Sequence, residues 1–396
     1  MGVSGMRCVR CGQTYPAGDR YFCEKCGGIL ELEYAGSIIP EDAPLSLSFA
    51  RMPVKQEEME GFGTTPTPLL LSRRLAQTIG LKQLYFKCEM ANLTGSFKDR
   101  PVAVAVAMAK RFGYQRVVAA SSGNAAAATA ACAARLGLES VIVLPAATPQ
   151  EKVRQTTYYG AHVFKVAGPY SNSYRVALDL SREHGVYNVT TTFLNPYAVE
   201  GDKLVGYELY EELGRMPGHV YVPVGAGPLL VGIAKGLREY AHRDGIECVA
   251  RMTAVQALGN SPIAEAFTRG EQRVHANPLP NTLAGGIADG LVGYEQDGEY
   301  TLRICRESGG TAMSVSDERI CEAQALLATE EGLFVEPSAA ASLAGILEDL
   351  RQGRLNSAEP VVAVLTGHGL KDMDALPEGG EAHLIEKATN IADVLY

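Results

Sequence analysis

From about residue 60 to the end of the chain, short apolar runs alternate with Ala-rich helical stretches, and this alternation constrains the fold most. Runs at 115–120, 140–145, 162–166, 220–224, 248–255 and 360–365 have the length and β-branched content of buried strands. Between them, stretches such as 124–136, 229–242 and 317–331 carry helical spacing. Strands joined through helices pair in parallel with right-handed crossovers, so the pattern predicts an α/β fold. A length of 396 residues allows two compact domains and a small appendage. Residues 36 to about 60, with Pro40, Pro44 and Pro53, form a connector.

A formal net charge of −9 argues against a chain-wide nucleic-acid or anionic-membrane surface. No apolar run reaches the ~20 residues of a bilayer span. Met1 to Met6 lacks the basic-then-apolar pattern of a signal peptide. Four of nine cysteines form two CxxC pairs and five stand singly, which predicts a reduced, cytoplasmic protein rather than a disulfide scaffold.

The two pairs, Cys8–Cys11 and Cys23–Cys26, are followed by Gly12 and by Gly27 and Gly28. Each knuckle points two thiolates at one ion, and small glycines let backbone amides approach the sulfurs. Four thiolates close a tetrahedral site, which predicts a structural zinc in a ribbon-like module over residues 1–35. Four unrelated thiols or a redox CxxC are the alternatives, and the doubled spacing favours zinc. The acidic charge favours a structural ribbon over a nucleic-acid module.

The segment Asn92-Leu93-Thr94-Gly95-Ser96-Phe97-Lys98-Asp99-Arg100 places a turn before Lys98 and an Ala/Val-rich helix, 101–111, after it. A helix N-terminus disfavours an ammonium, and a lysine of depressed pKa forms an imine with an aldehyde. By itself the segment fits a surface lysine equally well. Two loops shift the balance. Ser121-Ser122-Gly123-Asn124 joins a strand to a helix N-terminus and so forms an anion site. Gly225-Ala226-Gly227-Pro228-Leu229 does the same after 220–224 and has the form of a phosphate cradle.

In this order the motifs resemble fold-type II pyridoxal-phosphate enzymes of the tryptophan synthase beta-like architecture, and the threonine synthase family in particular. The lysine segment resembles N-P-T-G-S-F-K-D-R, Ser121–Asn124 resembles S/T-x-G-N, and Asn195-Pro196 with Glu200–Lys203 resembles NP…EGQK. Residues 307–317, 331–341 and 365–372 follow the family's C-terminal pattern, and a four-cysteine ribbon occurs among its members.

The resemblance implies that Lys98 holds pyridoxal 5'-phosphate as a Schiff base and shuttles protons. It implies that Phe97 packs beside the cofactor, Asn124 bonds the ring hydroxyl, and Gly225, Ala226, Gly227, Pro228 and Leu229 line the cofactor phosphate. Thr366 meets the pyridine nitrogen, and Ser121, Ser122 and Gly123 bind the substrate carboxylate. Beyond the ribbon and connector, residues 36–94 belong partly to a large domain. Residues 95–205 form a small mobile domain, and 206–396 the large cofactor-binding domain. A homodimer acting on a small amino acid, without nucleic-acid or membrane partners, is the family expectation.

The chain also departs from the family. Ala198 stands where the family has an arginine after the NP pair, and Thr192-Phe193 replaces an Asn-Ser. The 225–229 loop carries no side-chain amide and resembles the GGGGL loop of dehydratases and serine racemases, as Thr282–Gly286 resembles theirs. Losing an Arg–phosphate pair weakens phosphosubstrate binding, unless Lys152, Arg154 or Lys203 compensates.

Three functions are therefore in view. The first is a threonine synthase-type lyase that eliminates phosphate from O-phosphohomoserine and adds water. The second is a diverged β-elimination or β-replacement enzyme, dehydratase-like or cysteate synthase-like. The third is a non-catalytic relative, which the presence of Lys98, Asn124 and Thr366 disfavours.

Overall fold

The computed structural model describes residues 2–35, 44, 49, 51–247, 249–355 and 358–375. Pro40, most of the 36–60 connector, and Cys248 in the expected 248–255 run lie outside them. An N-terminal module holds β1 (Val3–Cys8), β2 (Thr14–Tyr15) and β3 (Leu30–Tyr34). Next come β4 (Leu69–Leu71), α1 (Leu75–Ile79) and β5 (Leu84–Lys87). A second group runs α2 (Asp99–Arg111), β6 (Arg116–Ala120), α3 (Asn124–Leu136), β7 (Glu139–Pro145), α4 (Gln150–Tyr158), β8 (His162–Val166), α5 (Tyr170–Glu183) and β9 (Tyr187–Asn188). The third runs α6 (Pro196–Leu213), β10 (His219–Pro223), α7 (Pro228–Asp244), β11 (Arg251–Ala257), α8 (Pro262–Thr268), α9 (Glu295–Glu307), β12 (Ala312–Val315), α10 (Asp317–Glu331), α11 (Pro337–Arg351) and β13 (Val361–Val364).

Three sheets result, ordered β2-β1-β3, β12-β11-β10-β13-β5-β4 and β8-β7-β6-β9. The small N-terminal sheet is antiparallel. The four-stranded sheet is parallel throughout, and in the six-stranded sheet only the edge strand β4 runs antiparallel. This is the expected α/β architecture.

Period-2 alternation explains how the six-stranded sheet is buried on both faces. Val220, Val222, Val362 and Val364 pack with α7, while Tyr221, Val361 and Ala363 pack with α10 and α11. Helices α6 and α7 approach closely. A Cβ on Gly206 would overlap the Ile233 carbonyl, and one on Gly236 would overlap that of Lys203. Only glycine permits this contact, and it draws the chain after β9 against the start of α7.

Parallel sheets place their functional loops at the carboxyl ends of the strands. The 121–124 turn follows β6, the 225–229 turn follows β10, and Thr366 follows β13. The sequence-predicted loops therefore occupy the corresponding ends of two sheets.

Candidate active site

Lys98 is the N-cap of α2. Residues 95–97 are pinned to the turn after β13: the Phe97 amide donates to the Thr366 carbonyl at 3.0 Å, and the His368 amide donates to the Gly95 carbonyl at 2.9 Å. The half-buried Lys98 side chain is thus held beside Thr366 by backbone bonds. Its Nζ donates to Thr191 Oγ1 at 2.8 Å and lies 4.5 Å from the centre of the Phe97 ring. Burial lowers its pKa to about 8 against the opposing pull of Asp202, Asp289 and Glu336. The helix terminus invoked for this depression is present, but burial is the larger cause.

Asn124 opens α3, and its Nδ2 donates to both oxygens of Glu336, at 3.0 and 3.1 Å. The Glu336 amide donates to the Gly367 carbonyl at 3.0 Å, which joins the start of α11 to the Thr366 turn. Burial raises the Glu336 carboxyl to about 7, opposed by the Asn124 bond. At the 225–229 turn, Gly227 has φ 107° and a Cβ there would overlap Thr301, whose hydroxyl donates to the Ala226 carbonyl at 2.7 Å. Helix α7 begins here, and the unpaired N–H groups of a helix's first turn are a donor set suited to a phosphate.

Lys98, Phe97, Asn124, Thr366 and the two turns therefore converge on one region. Thr191, Asp202, Asp289 and Glu336 join them and were not singled out from sequence. Glu336 lies within the quoted 331–341 motif, so its type was visible, but not its partner 212 residues away. Asp202 is buried, neither of its carboxyl oxygens is bonded among the described residues, and burial raises it to about 8 despite the nearby charge of Lys98.

Of the basic residues that could have compensated for the missing arginine, Lys203 and Lys152 are paired with carboxylates. Lys203 is buried against Glu200 at 2.6 Å and Glu239 at 3.1 Å, and Lys152 pairs with Asp372 at 3.0 Å. Arg154 is exposed on α4. Ala198 and Leu229 are buried, and Phe193 is buried against Tyr300, with ring centres 5.2 Å apart. His368 caps the 3-10 turn after β13 by accepting from the Leu370 amide at 3.2 Å, a structural role.

In the N-terminal module the four cysteine sulfurs lie within 4.8 Å of one another. Cys8 and Cys26 sulfurs are 3.5 Å apart, and those of Cys11 and Cys23 3.6 Å. A tetrahedron with Zn–S bonds of about 2.3 Å has edges of about 3.8 Å, so the cluster fits a metal ion.

The model of the pyridoxal-phosphate dependent enzyme family matches residues 61–367. The chain is similar to a protein named threonine synthase from Methanocaldococcus jannaschii, 35% identical over 95% of this chain and 95% of that protein. It is also similar to one of the same name from Methanosarcina acetivorans, 36% identical over 93% and 92%. Among solved structures it resembles the processed form of threonine deaminase isoform 2 from Solanum lycopersicum, with a TM-score of 0.67 and 25% identity over 79% of this chain and 88% of that one. With a lysine of lowered pKa set among three loops that suit a phosphorylated aldehyde cofactor, the chain belongs to the pyridoxal-phosphate dependent enzymes of fold type II, in the family that includes the threonine synthases.

Proposed function

We propose that the chain is a lyase that uses Lys98 and pyridoxal 5'-phosphate to remove a substituent from the side chain of a small amino acid. The observation that carries this reading is the convergence of Lys98, its pKa lowered to about 8, with the turns after β6, β10 and β13. When bound, the cofactor supplies an electron sink for the bonds at the substrate α-carbon.

The protein's own residues supply the rest. Lys98 Nζ, held by Thr191, takes the proton from the substrate α-carbon, and its lowered pKa keeps a free amine available near neutral pH. Ser121, Ser122 and Gly123, at the N-terminus of α3, orient the substrate carboxylate. The amides of Gly225, Ala226, Gly227 and Leu229 hold the cofactor phosphate, with Gly227 giving the close approach and Pro228, which has no N–H, setting the first helical turn. Asn124, oriented by Glu336, faces the ring hydroxyl, and Phe97 supports the ring. Thr366 offers the pyridine nitrogen a hydroxyl, a weaker partner than a carboxylate. The group comprising residues 95–205 acts as a closing domain that excludes water from the cleft. The four-cysteine cluster holds a structural zinc.

Two substrates fit this chemistry. The relatives' name and the motif order favour loss of phosphate from O-phosphohomoserine followed by water addition, giving threonine. The buried Ala198, Phe193 and Leu229, and the commitment of Lys203 and Lys152 to carboxylates, favour β-elimination from an unphosphorylated amino acid. Loss of the α-proton and the β-substituent, followed by water, then releases ammonia and a 2-oxo acid. We favour this second reading. Incubating the holoenzyme with O-phosphohomoserine, serine and threonine tests it. Ammonia and a 2-oxo acid from either unphosphorylated substrate support it, and threonine with phosphate from the first contradicts it.

A further inference from the structure

Carboxyl groups rather than cations surround Lys98. Asp289 follows the 285–287 turn, with its Cβ 3.0 Å from the position a Cβ on Gly225 would take. Its Oδ1 accepts from the Tyr294 hydroxyl at 2.7 Å and from the Leu291 amide at 3.0 Å. Its Oδ2 takes no hydrogen bond among the described residues, although the residue is half-buried. The Asp289 charge acts on Lys98, and also on Tyr170, whose hydroxyl donates to the Ala120 carbonyl at 3.0 Å, one residue before the Ser121 turn. Asp289 therefore lies close enough to Lys98 and to Tyr170, which is bonded to the end of β6, for its charge to act on both.

Two further carboxyls reinforce this face. Asp297 is buried and accepts from the Phe193 amide at 3.0 Å, two residues beyond Thr191. Asp202 is buried with both oxygens unbonded among the described residues, and its charge acts on Lys98. Lys371, another cation near this region, donates to the Thr94 carbonyl at 3.1 Å and to Gln155. Lys152 lies near the 285–287 turn, with its Nζ 3.9 Å from the position a Cβ on Gly285 would take, but it is paired with Asp372 at 3.0 Å. A dianion placed beside Asp289 would have to draw Lys152 or Lys371 from these partners to replace its hydration, and would face carboxyls that burial already disfavours as charges. A donor group would instead gain a charge-assisted bond to a half-buried carboxylate oxygen.

We propose that Asp289 is a specificity-determining residue that receives a hydrogen-bond donor, hydroxyl or ammonium, at the end of the substrate side chain, so that the cleft accepts unphosphorylated amino acids and rejects phosphate esters. This rests on the reading of the cleft as a pyridoxal-phosphate lyase site.

The test compares serine and threonine (hydroxyl), 2,3-diaminopropionate (ammonium), and O-phosphoserine and O-phosphohomoserine (phosphate) on the wild-type holoenzyme and on Asp289→Asn and Asp289→Ile. The readouts are ammonia, phosphate, kcat and KM separately, and the change in the visible absorbance of the bound cofactor. We expect KM for the best donor-terminated substrate to lie at least about tenfold below that of either ester, the size of one lost polar contact. Asp289→Ile raises that KM more than it lowers kcat. Asp289→Asn retains hydroxyl substrates better than the ammonium one, which separates the two donor types. The inference is overturned if either ester is the best substrate of the wild type, or if both variants leave the donor-to-ester preference within about twofold. If no compound alters the cofactor absorbance, both this inference and the lyase reading fail. A wild type that shows absorbance changes only with esters overturns the inference alone.

Discussion

The chemistry of the cleft depends on an amine that is free near neutral pH. Burial holds Lys98 near pH 8, so its unprotonated fraction grows as pH rises toward and past 8. Uptake of cofactor by the apoenzyme should therefore quicken from pH 6 to about 8 and then level off, as followed by stopped-flow absorbance. A rate independent of pH over this range would contradict the low pKa. Lys98→Ala should lower turnover by about a thousandfold or more, the scale of removing a catalytic proton carrier, while circular dichroism stays unchanged. Asp297 offers a stability test. Burial raises its folded pKa to about 8, far above the usual carboxylate range, so its contribution is favourable below about pH 4 and is lost as pH rises through about 8. Asp297→Asn lacks that slope, so its melting temperature should gain steadily on the wild type as pH climbs from 5 to 8.5. Parallel melting curves from pH 5 to 8.5 would refute the assignment. At this scale the sequence revealed groups that sit in local motifs, such as Lys98, Asn124 and Thr366. Asp202 was visible only as a member of the Glu200–Lys203 stretch, and Asp289 was hidden, because a carboxyl's role depends on what faces it and Asp289 faces residues far away in the chain.

At the scale of elements, the turns after β6 and β10 hold the site because helices begin immediately beyond them. Gly227 combines φ 107° with a space that Thr301 fills. Gly227→Ala should cost about 2 kcal/mol of stability through backbone strain and overlap, and should weaken cofactor retention during dialysis. An alanine variant that melts and retains cofactor like the wild type would show that the turn is not fitted as described. The strands β6, β7, β8, β10 and β13 were legible because each is an apolar run bounded by turn residues. The strands β4, β9 and β12 were not, since two to four residues carry too little alternation to stand out, and their pairing partners decide them. Helix α2 begins at Asp99, two residues before the expected 101, because Lys98 already adopts helical backbone angles.

At the scale of the molecule, the N-terminal module touches both sheet-bearing groups. Its Tyr21 hydroxyl accepts from the Asn188 amide at 2.8 Å, three residues before Thr191, and its Gly18 carbonyl accepts from Tyr197 at 2.9 Å. On the other side, Arg303 on α9 donates to the Val9 carbonyl at 3.1 Å, and Gln296 donates to the Gly27 carbonyl at 3.2 Å. If the four-cysteine cluster holds a metal, a strong chelator should lower the melting temperature by several degrees and expose the 8–34 segment to protease, and zinc should restore both. No change in either would mean that the module folds without an ion. None of the described helices is long and apolar enough to cross a membrane. The alternation of runs and helices showed the α/β class from sequence, whereas the docking of the module across two groups depends on side-chain contacts more than 150 residues apart, which no local pattern encodes.

The most direct test of the account is to locate the cofactor. The pure protein would be loaded with pyridoxal 5'-phosphate, reduced with borohydride to fix the cofactor to its amine, digested, and mapped by mass spectrometry. The account predicts one added phosphopyridoxyl mass, on the peptide that carries Lys98. Stoichiometric labelling of a different lysine, or no labelling at saturating cofactor, would contradict it.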